Sequence, residues 1–195
     1  MPLLVRMSDE KAAQALTFIE AGATGILLAG TRTAEQIASI VNRIKYSPMG
    51  DRGIALQALH NGYEAVKVTE YMKRANEETM VVAHIESREG FENLEEILSV
   101  PGVDGMTIGA MDYSDDLGDP GNLKHPQIRE SMKHAVVTAK KTGRFCGIIT
   151  SNAALGEECI HMGMKLWVCG TDAGILMEGA RRGVANFKKF VAAVE

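Results

Sequence analysis

The chain has 195 residues, about one domain's worth, of which 46% are hydrophobic and 24% charged, with a formal net charge of −4. Acidic and basic residues are mixed and no basic stripe forms, which argues against nucleic acid as a partner; no apolar run is long enough for a membrane span, and Met1-Pro2-Leu3-Leu4-Val5-Arg6 is too short and wrongly charged for a signal peptide. Cys146, Cys159 and Cys169 lack metal-ligand spacing and read as reduced core thiols of a cytosolic protein.

Strand and helix patterns alternate from end to end. Leu3-Leu4-Val5-Arg6 reads as a strand. Ser8 then caps a helix with Asp9 and Glu10 in its first turn and Gly22 at its end. Gly25-Ile26-Leu27-Leu28-Ala29 is the next strand. Thr33-Ala34-Glu35-Gln36 is a capping box that opens a helix through about Ile44, stopped by Pro48-Met49-Gly50. Residues 51–63 form a long loop and residues 64–75 a helix. The strand Met80-Val81-Val82-Ala83-His84-Ile85-Glu86 follows, then a helix capped by Ser87 and running to about Leu98. Gly105-Met106-Thr107-Ile108-Gly109-Ala110-Met111-Asp112 is the next strand, leading into a turn-rich acidic loop over 113–122. Pro126 begins a helix that ends near Gly143. Phe145-Cys146-Gly147-Ile148-Ile149-Thr150 and Leu166-Trp167-Val168-Cys169-Gly170 are the last strands, with a helix over 153–162 between them and a final helix over about 174–194.

This β-α order, with short continuous apolar strands, implies a parallel sheet covered by helices, an α/β fold. Six strand–helix units can be counted, whereas a closed barrel of this type has eight. Six strands leave two apolar edges, at residues 3–5 and 166–168, that need covering or completing.

Two carboxylates stand out, Glu86 and Asp112, each closing a strand on consecutive units. A carboxylate at the C-terminal end of a buried parallel strand is costly unless it is paired or binds a cation, and that end of a barrel carries the active site. The pair suggests a shared divalent metal, although either group could instead pair with lysine or cap a helix, as Ser87 opens one. Arg6, after three apolar residues, falls at a strand's C-terminal end, where its charge would face a developing oxyanion. His84 lies two residues before Glu86 and so on the same side of the strand. Three readings of it stay open: a third ligand, an acid–base group, or a satisfied core histidine. His60, His125 and His161 read as surface or loop residues, with His60 able to approach the site. The acidic loop after Asp112 fails as an EF-hand, because Leu117 and Leu123 stand where glycine and glutamate are required.

The segments Val5-Arg6-Met7, Glu20-Ala21-Gly22-Ala23-Thr24-Gly25-Ile26-Leu27, Tyr46-Ser47-Pro48-Met49-Gly50-Asp51-Arg52-Gly53, Arg74-Ala75-Asn76, Ile85-Glu86-Ser87 and Ile108-Gly109-Ala110-Met111-Asp112-Tyr113-Ser114, with Leu117-Gly118 and Pro120-Gly121-Asn122, occur in order along nearly the whole chain. Together they resemble the metal-dependent class II pyruvate aldolases of the HpcH/HpaI type, which are TIM-type (β/α)8 barrels. The resemblance implies a carbon–carbon lyase that works through a pyruvate enolate, on a small 2-oxo acid of the pyruvate or oxaloacetate type and an aldehyde. It implies a divalent metal (Mg2+ or Mn2+, with Co2+ a further candidate) held by Glu86 and Asp112. Arg6 would stabilise the enolate oxygen, and the backbone N–H groups of Met111 and Asp112 would hold the substrate carboxylate. His84 stands where the family has a substrate-contacting glutamine, and Ala110 where it has proline. Glu20 matches an acidic residue that tunes the family's acid–base histidine. That histidine belongs to a strand preceding the matched region, so the expectation is a single domain over 1–195 that supplies strands 3–8 of the barrel, truncated at its N-terminus, with aldol turnover impaired. The family's habits also imply a homo-oligomer that exchanges its C-terminal helix. Two alternatives accompany this reading: a non-catalytic oligomeric or interaction protein, and a related citrate or oxaloacetate carbon–carbon enzyme.

Overall fold

A computed structural model describes residues 1–56 and 58–193, with residues 9–11 described by their backbone alone. Its sheet has six strands: β1 (Leu4–Ser8), β2 (Gly25–Ala29), β3 (Met80–Ile85), β4 (Gly105–Ile108), β5 (Phe145–Ile149) and β6 (Leu166–Val168). They lie side by side in chain order and every neighbouring pair is parallel. The connections carry helices α1 (Ala15–Glu20), α2 (Ala34–Ile44), α3 (Val68–Glu78), α4 (Arg88–Glu92), α5 (Leu94–Ser99), α6 (Ala110–Asp116), α7 (Pro126–Lys141) and α8 (Ala153–Met162); α9 (Asp172–Ala192) follows β6. The result is an α/β half-barrel, a curled sheet whose edges are β1 and β6.

The period of two along each strand sorts side chains between two faces. Ile26, Leu28, Val81, Ala83, Ile85, Met106, Ile108 and Ile148 point outward into one core with Ile37, Ile40, Leu94, Ile97, Leu98, Ile128 and Met132 from the helices. Each such aliphatic chain contributes about 1.5–3 kcal/mol on burial. The opposite, concave face carries Leu27, Val82, His84 and Thr107, and it sets glycine beside bulk. A Cβ on Gly25 would lie 2.8 Å from Met80 Cβ, one on Gly105 2.6 Å from the Phe145 ring, and one on Gly147 2.7 Å from Leu166 Cβ.

Most elements fall where the sequence places them, and the departures have local causes. The first helix opens as a 3-10 segment, Asp9–Gln14, and the Ser8 side chain makes no capping bond; the expected first-turn roles of the Asp9 and Glu10 side chains lie outside the described residues. The helix expected over 64–75 begins only at Val68. Asn61 holds the preceding segment in a competing network: its Oδ1 accepts from Ala58 N at 3.0 Å and Tyr63 N at 3.1 Å. The helix expected from Ser87 to Leu98 divides at Asn93 into α4 and α5. The strand expected to end at Asp112 ends at Ile108. Gly109 (φ −94, ψ 77) turns the chain, so Asp112 sits in the first turn of α6, and the acidic loop is helical as far as Asp116. Cys169 is exposed, unlike Cys146 and Cys159; burial pushes the Cys146 thiol up to about 12, which fits an inert core thiol. The final helix begins at Asp172, and the expected end at Val194 lies outside the described residues.

Candidate active site

The C-terminal edge of β3 and β4 brings the predicted residues together. Glu86 is the first residue beyond β3. Its neighbour Ser87 caps α4 through Oγ, which accepts from Gly90 N at 3.2 Å, so the chain turns sharply just past the carboxylate. Thr31 N donates to His84 O at 3.1 Å and Gly109 N to Ile85 O at 2.9 Å, which fixes the two flanking loops against β3. Gly109 is sterically required: a Cβ there would lie 2.7 Å from both Glu86 Oε2 and His84 Nε2.

His84 is 3% exposed and sits between two partners. Thr107, its register partner on β4, places Oγ1 2.8 Å from His84 Nδ1. On the other side His84 Nε2 lies 3.0 Å from Glu86 Oε2. That oxygen is buried and, despite the contact, has no hydrogen bond of good geometry. Arg6, half-exposed on β1, brings NH2 to 3.9 Å from the same oxygen. Asp112, in the first turn of α6, lines one cavity with Glu86 and shifts its carboxyl. The first bond inside α6 runs from Tyr113 N to Gly109 O at 3.0 Å, so the N–H groups of Ala110, Met111 and Asp112 have no partner within the helix.

The two carboxyls are driven apart. Asp112 is raised, chiefly by its hydrogen bond with Glu86, then by burial and by the Glu86 charge, with Arg6 and His84 opposing. For Glu86, burial pushes upward, but the hydrogen bonding and charge of His84, the bond to Asp112 and the charge of Arg6 outweigh it and leave the group lowered. This is the behaviour of two carboxylates that share one proton where a cation would otherwise neutralise both.

A cavity of about 250 Å³ opens at the pair, lined by Gly30, Arg32, Glu86, Ser87, Asp112 and Asp115. Beside it a cavity of about 320 Å³ is lined by Ala110, Met111, Ile149, Thr150, Asn152 and Thr171 at the ends of β5 and β6. Among the described residues no group of three or more His, Cys, Asp and Glu side chains is placed to hold a metal. Two carboxylates, one with a buried oxygen lacking a hydrogen bond, form a donor set that fits a hard cation completing its shell from water and substrate oxygens.

Two residues singled out in the sequence lie away from Glu86. Glu20 ends α1, just before β2 begins, and its charge acts on Tyr46 at the opposite end of the sheet. His60 also lies there, 5.9 Å from the Tyr71 ring, and does not approach Glu86. The sequence reading missed Thr107, Gly109 and Gly30, whose Cβ would lie 3.7 Å from Glu86 Oε1. The available signals were the period-two offset that links Thr107 to Gly109 and the glycine that opens the Gly-x-x-Asp-Tyr-Ser segment.

Comparison with known proteins points to one family. The family model for HpcH/HpaI aldolase/citrate lyase matches residues 3–179. A 4-hydroxy-2-oxo-heptane-1,7-dioate aldolase from Salmonella paratyphi B is 32% identical over 184 residues, 94% of this chain and 70% of the relative. The Escherichia coli protein of the same name is 30% identical over 192 residues, 98% of this chain and 73% of the relative. The crystal structure of an HpcH/HpaI aldolase from Desulfitobacterium hafniense superimposes with a TM-score of 0.89 at 28% identity, covering 96% of this chain and 73% of that one.

Proposed function

Because this chain belongs to the HpcH/HpaI aldolase/citrate lyase family, a family of carbon–carbon lyases, we propose that it makes or breaks the bond next to a pyruvate enolate at a divalent-metal site held by Glu86 and Asp112. The observation that carries this reading is the carboxyl pair itself, two groups from consecutive units that line one cavity at the C-terminal edge of the sheet. Mg2+ or Mn2+ suits the donor set, and Co2+ is a further candidate. When bound, such a cation supplies Lewis acidity that draws charge off the reacting 2-oxo acid.

The chain's own residues do the rest. Arg6 holds a fixed positive charge beside Glu86 Oε2, where an enolate oxygen would develop charge. The free N–H groups of Met111 and Asp112 offer paired donors to the substrate carboxylate. His84, locked by Thr107, orients Glu86 and takes the place the sequence reading gave to a substrate-contacting group. The cavity beside Met111, Thr150 and Asn152 is the room available to an aldehyde partner. Among the described residues His84 is the imidazole in contact with Glu86. On this reading oxaloacetate decarboxylation, which needs mainly an electron sink, depends less than aldol cleavage on proton transfer worth about 10²–10⁴-fold.

We further propose that the sheet corresponds to strands 3–8 of a (β/α)8 barrel in a single domain, and that the chain works in the cytoplasm as a homo-oligomer that exchanges α9. The support for exchange is α9 itself, which buries none of its residues while exposing Ile175, Leu176, Val184, Phe187 and Phe190. No helix of the described residues is long and apolar enough to cross a membrane. The test of the catalytic reading is cleavage of a 4-hydroxy-2-oxo acid, followed as pyruvate release with Mg2+ and with chelator. Metal-dependent release supports it, and release indifferent to chelator refutes it.

A further inference from the structure

The end of the sheet remote from Glu86 holds a second charged cavity. Arg52 is 5% exposed. Its backbone N–H donates to Lys45 O at 3.0 Å, and its guanidinium lies 4.5 Å from the centroid of the Tyr46 ring. Its Nε and NH2 atoms are buried with no hydrogen-bond partner, and among the described residues it forms no ion pair. The Tyr46 ring covers one face of the cation, but buried N–H donors without an acceptor are costly, which points to an acceptor for them.

The surroundings define what that acceptor is. A cavity of about 140 Å³ is lined by Arg52, Arg74, His60, Tyr71, Glu78 and Thr79; that is several times a water's ~30 Å³. Arg74 stacks at 5.8 Å on Tyr71, whose ring meets Tyr46 edge-on at 6.1 Å. His60 turns Nε2 toward Ala55 O at 3.1 Å, so that nitrogen carries the proton; Nδ1 is buried without a partner. The carboxylates nearby are Glu78, 3.9 Å from Arg74 Nε in an exposed pair, and Glu20, whose charge reaches Tyr46. Neither pairs with Arg52.

We propose that this cavity binds a small oxyanion, a free phosphate or carboxylate species, through the unpartnered N–H edge of Arg52 with Arg74 beside it. A guanidinium presents paired donors that match the two oxygens of such a group. The site lies at the opposite end of the strands from Glu86 and Asp112, so its occupant is a structural or regulatory ligand and not the substrate. The same chemistry has a second source, a side-chain carboxylate of another copy of this chain, and the test separates the two.

The experiment is thermal unfolding of the purified chain, with chelator present, titrated with inorganic phosphate against sodium chloride at matched ionic strength. The proposal expects a saturable rise in Tm, of about 5–10 °C at a hundredfold excess over Kd. The rise should vanish in Arg52→Met, shrink in Arg74→Gln and persist in Glu86→Gln. Arg74→Gln is exposed and keeps the test open if Arg52→Met fails to fold. In phosphate-free buffer Arg52→Met loses the Tyr46 ring contact and also removes buried donors without an acceptor, so its Tm should lie close to the parent's. A phosphate response equal in all variants, or none in the parent, overturns the proposal. So does a Tm that rises with protein concentration and not with phosphate, which would assign Arg52 to a carboxylate of a second copy.

Discussion

Gly109 and Glu86 face each other so closely that one methyl group on Gly109 would lie 2.7 Å from Glu86 Oε2. The same methyl would lie 2.7 Å from His84 Nε2, and His84 is pinned behind by Thr107. His84, held between Thr107 and Glu86, is the less free of the two to move. The bend at Gly109 also starts α6, so one residue both clears space for the first carboxylate and aims the second.

Gly109→Ala should therefore damage the site more than the fold. Overpacking of this kind costs about 1–3 kcal/mol, whereas a displacement of about 1 Å at a reacting group lowers activity roughly 10²-fold. Steady-state kinetics beside thermal unfolding check this. Activity that falls only in proportion to folded protein would remove Gly109 from the site.

His84 supports Glu86 from behind, as a group holding a metal ligand would. His84→Ala should weaken Mn2+ binding by about 10–100-fold, and Thr107→Val should do the same more mildly. Calorimetric titration of both variants measures it. Unchanged affinity would leave His84 as core packing.

The pH dependence follows from the two carboxyls. Asp112 is raised in the fold, first by its bond to Glu86, so its stabilisation is full below the ordinary aspartate range and lost as pH rises through its raised folded value. Glu86 is lowered, because His84, Asp112 and Arg6 outweigh the burial that pushes it up. Its contribution is present above the ordinary glutamate range and lost as pH falls through its depressed value. Above the raised Asp112 range and without a cation, the shared proton is lost and the two carboxylates repel. Mn2+ should then raise Tm most near neutral pH, with the increment shrinking as pH falls through the raised Asp112 range and about one proton released per ion within it. Titration in two buffers of different ionisation enthalpy reads the proton. An increment that is flat with pH would detach the metal from the pair.

Arg6 acts on charge that develops during reaction. Arg6→Met should lower kcat by about 10²–10³-fold with a smaller change in KM. A rise in KM at constant kcat would make it a binding residue only.

On α9, Leu176, Val184 and Phe187 share one helical face and are 74%, 55% and 66% exposed. Changing all three to glutamate should convert an oligomer to monomer in sedimentation velocity. A parent chain that sediments as a monomer contradicts the exchange.

Much of this was legible in the sequence because strands and caps are local. The apolar runs, the Gln36 side chain that accepts from Thr33 N, Pro126 at the start of α7 and Gly163 at the end of α8 all act within a few residues. Glu86 and Asp112 could be paired from their places in consecutive units. What the sequence did not reveal is non-local. Glu20 is near Arg6 in the chain but at the other end of the sheet, because a short helix separates the two. Asp112 reads as the end of a strand until Gly109 bends the backbone. Arg52 looks like an ordinary loop charge, and its burial depends on contacts such as that with the Tyr46 ring, which are distant from any local signal.

The most direct test of the metal-site account is pyruvate release from oxaloacetate by the purified chain, with Mn2+ and with chelator, compared with Glu86→Gln. The account predicts a rate above that of free Mn2+, abolished by chelator and absent in the variant. A rate equal to that of free metal in both proteins would contradict it.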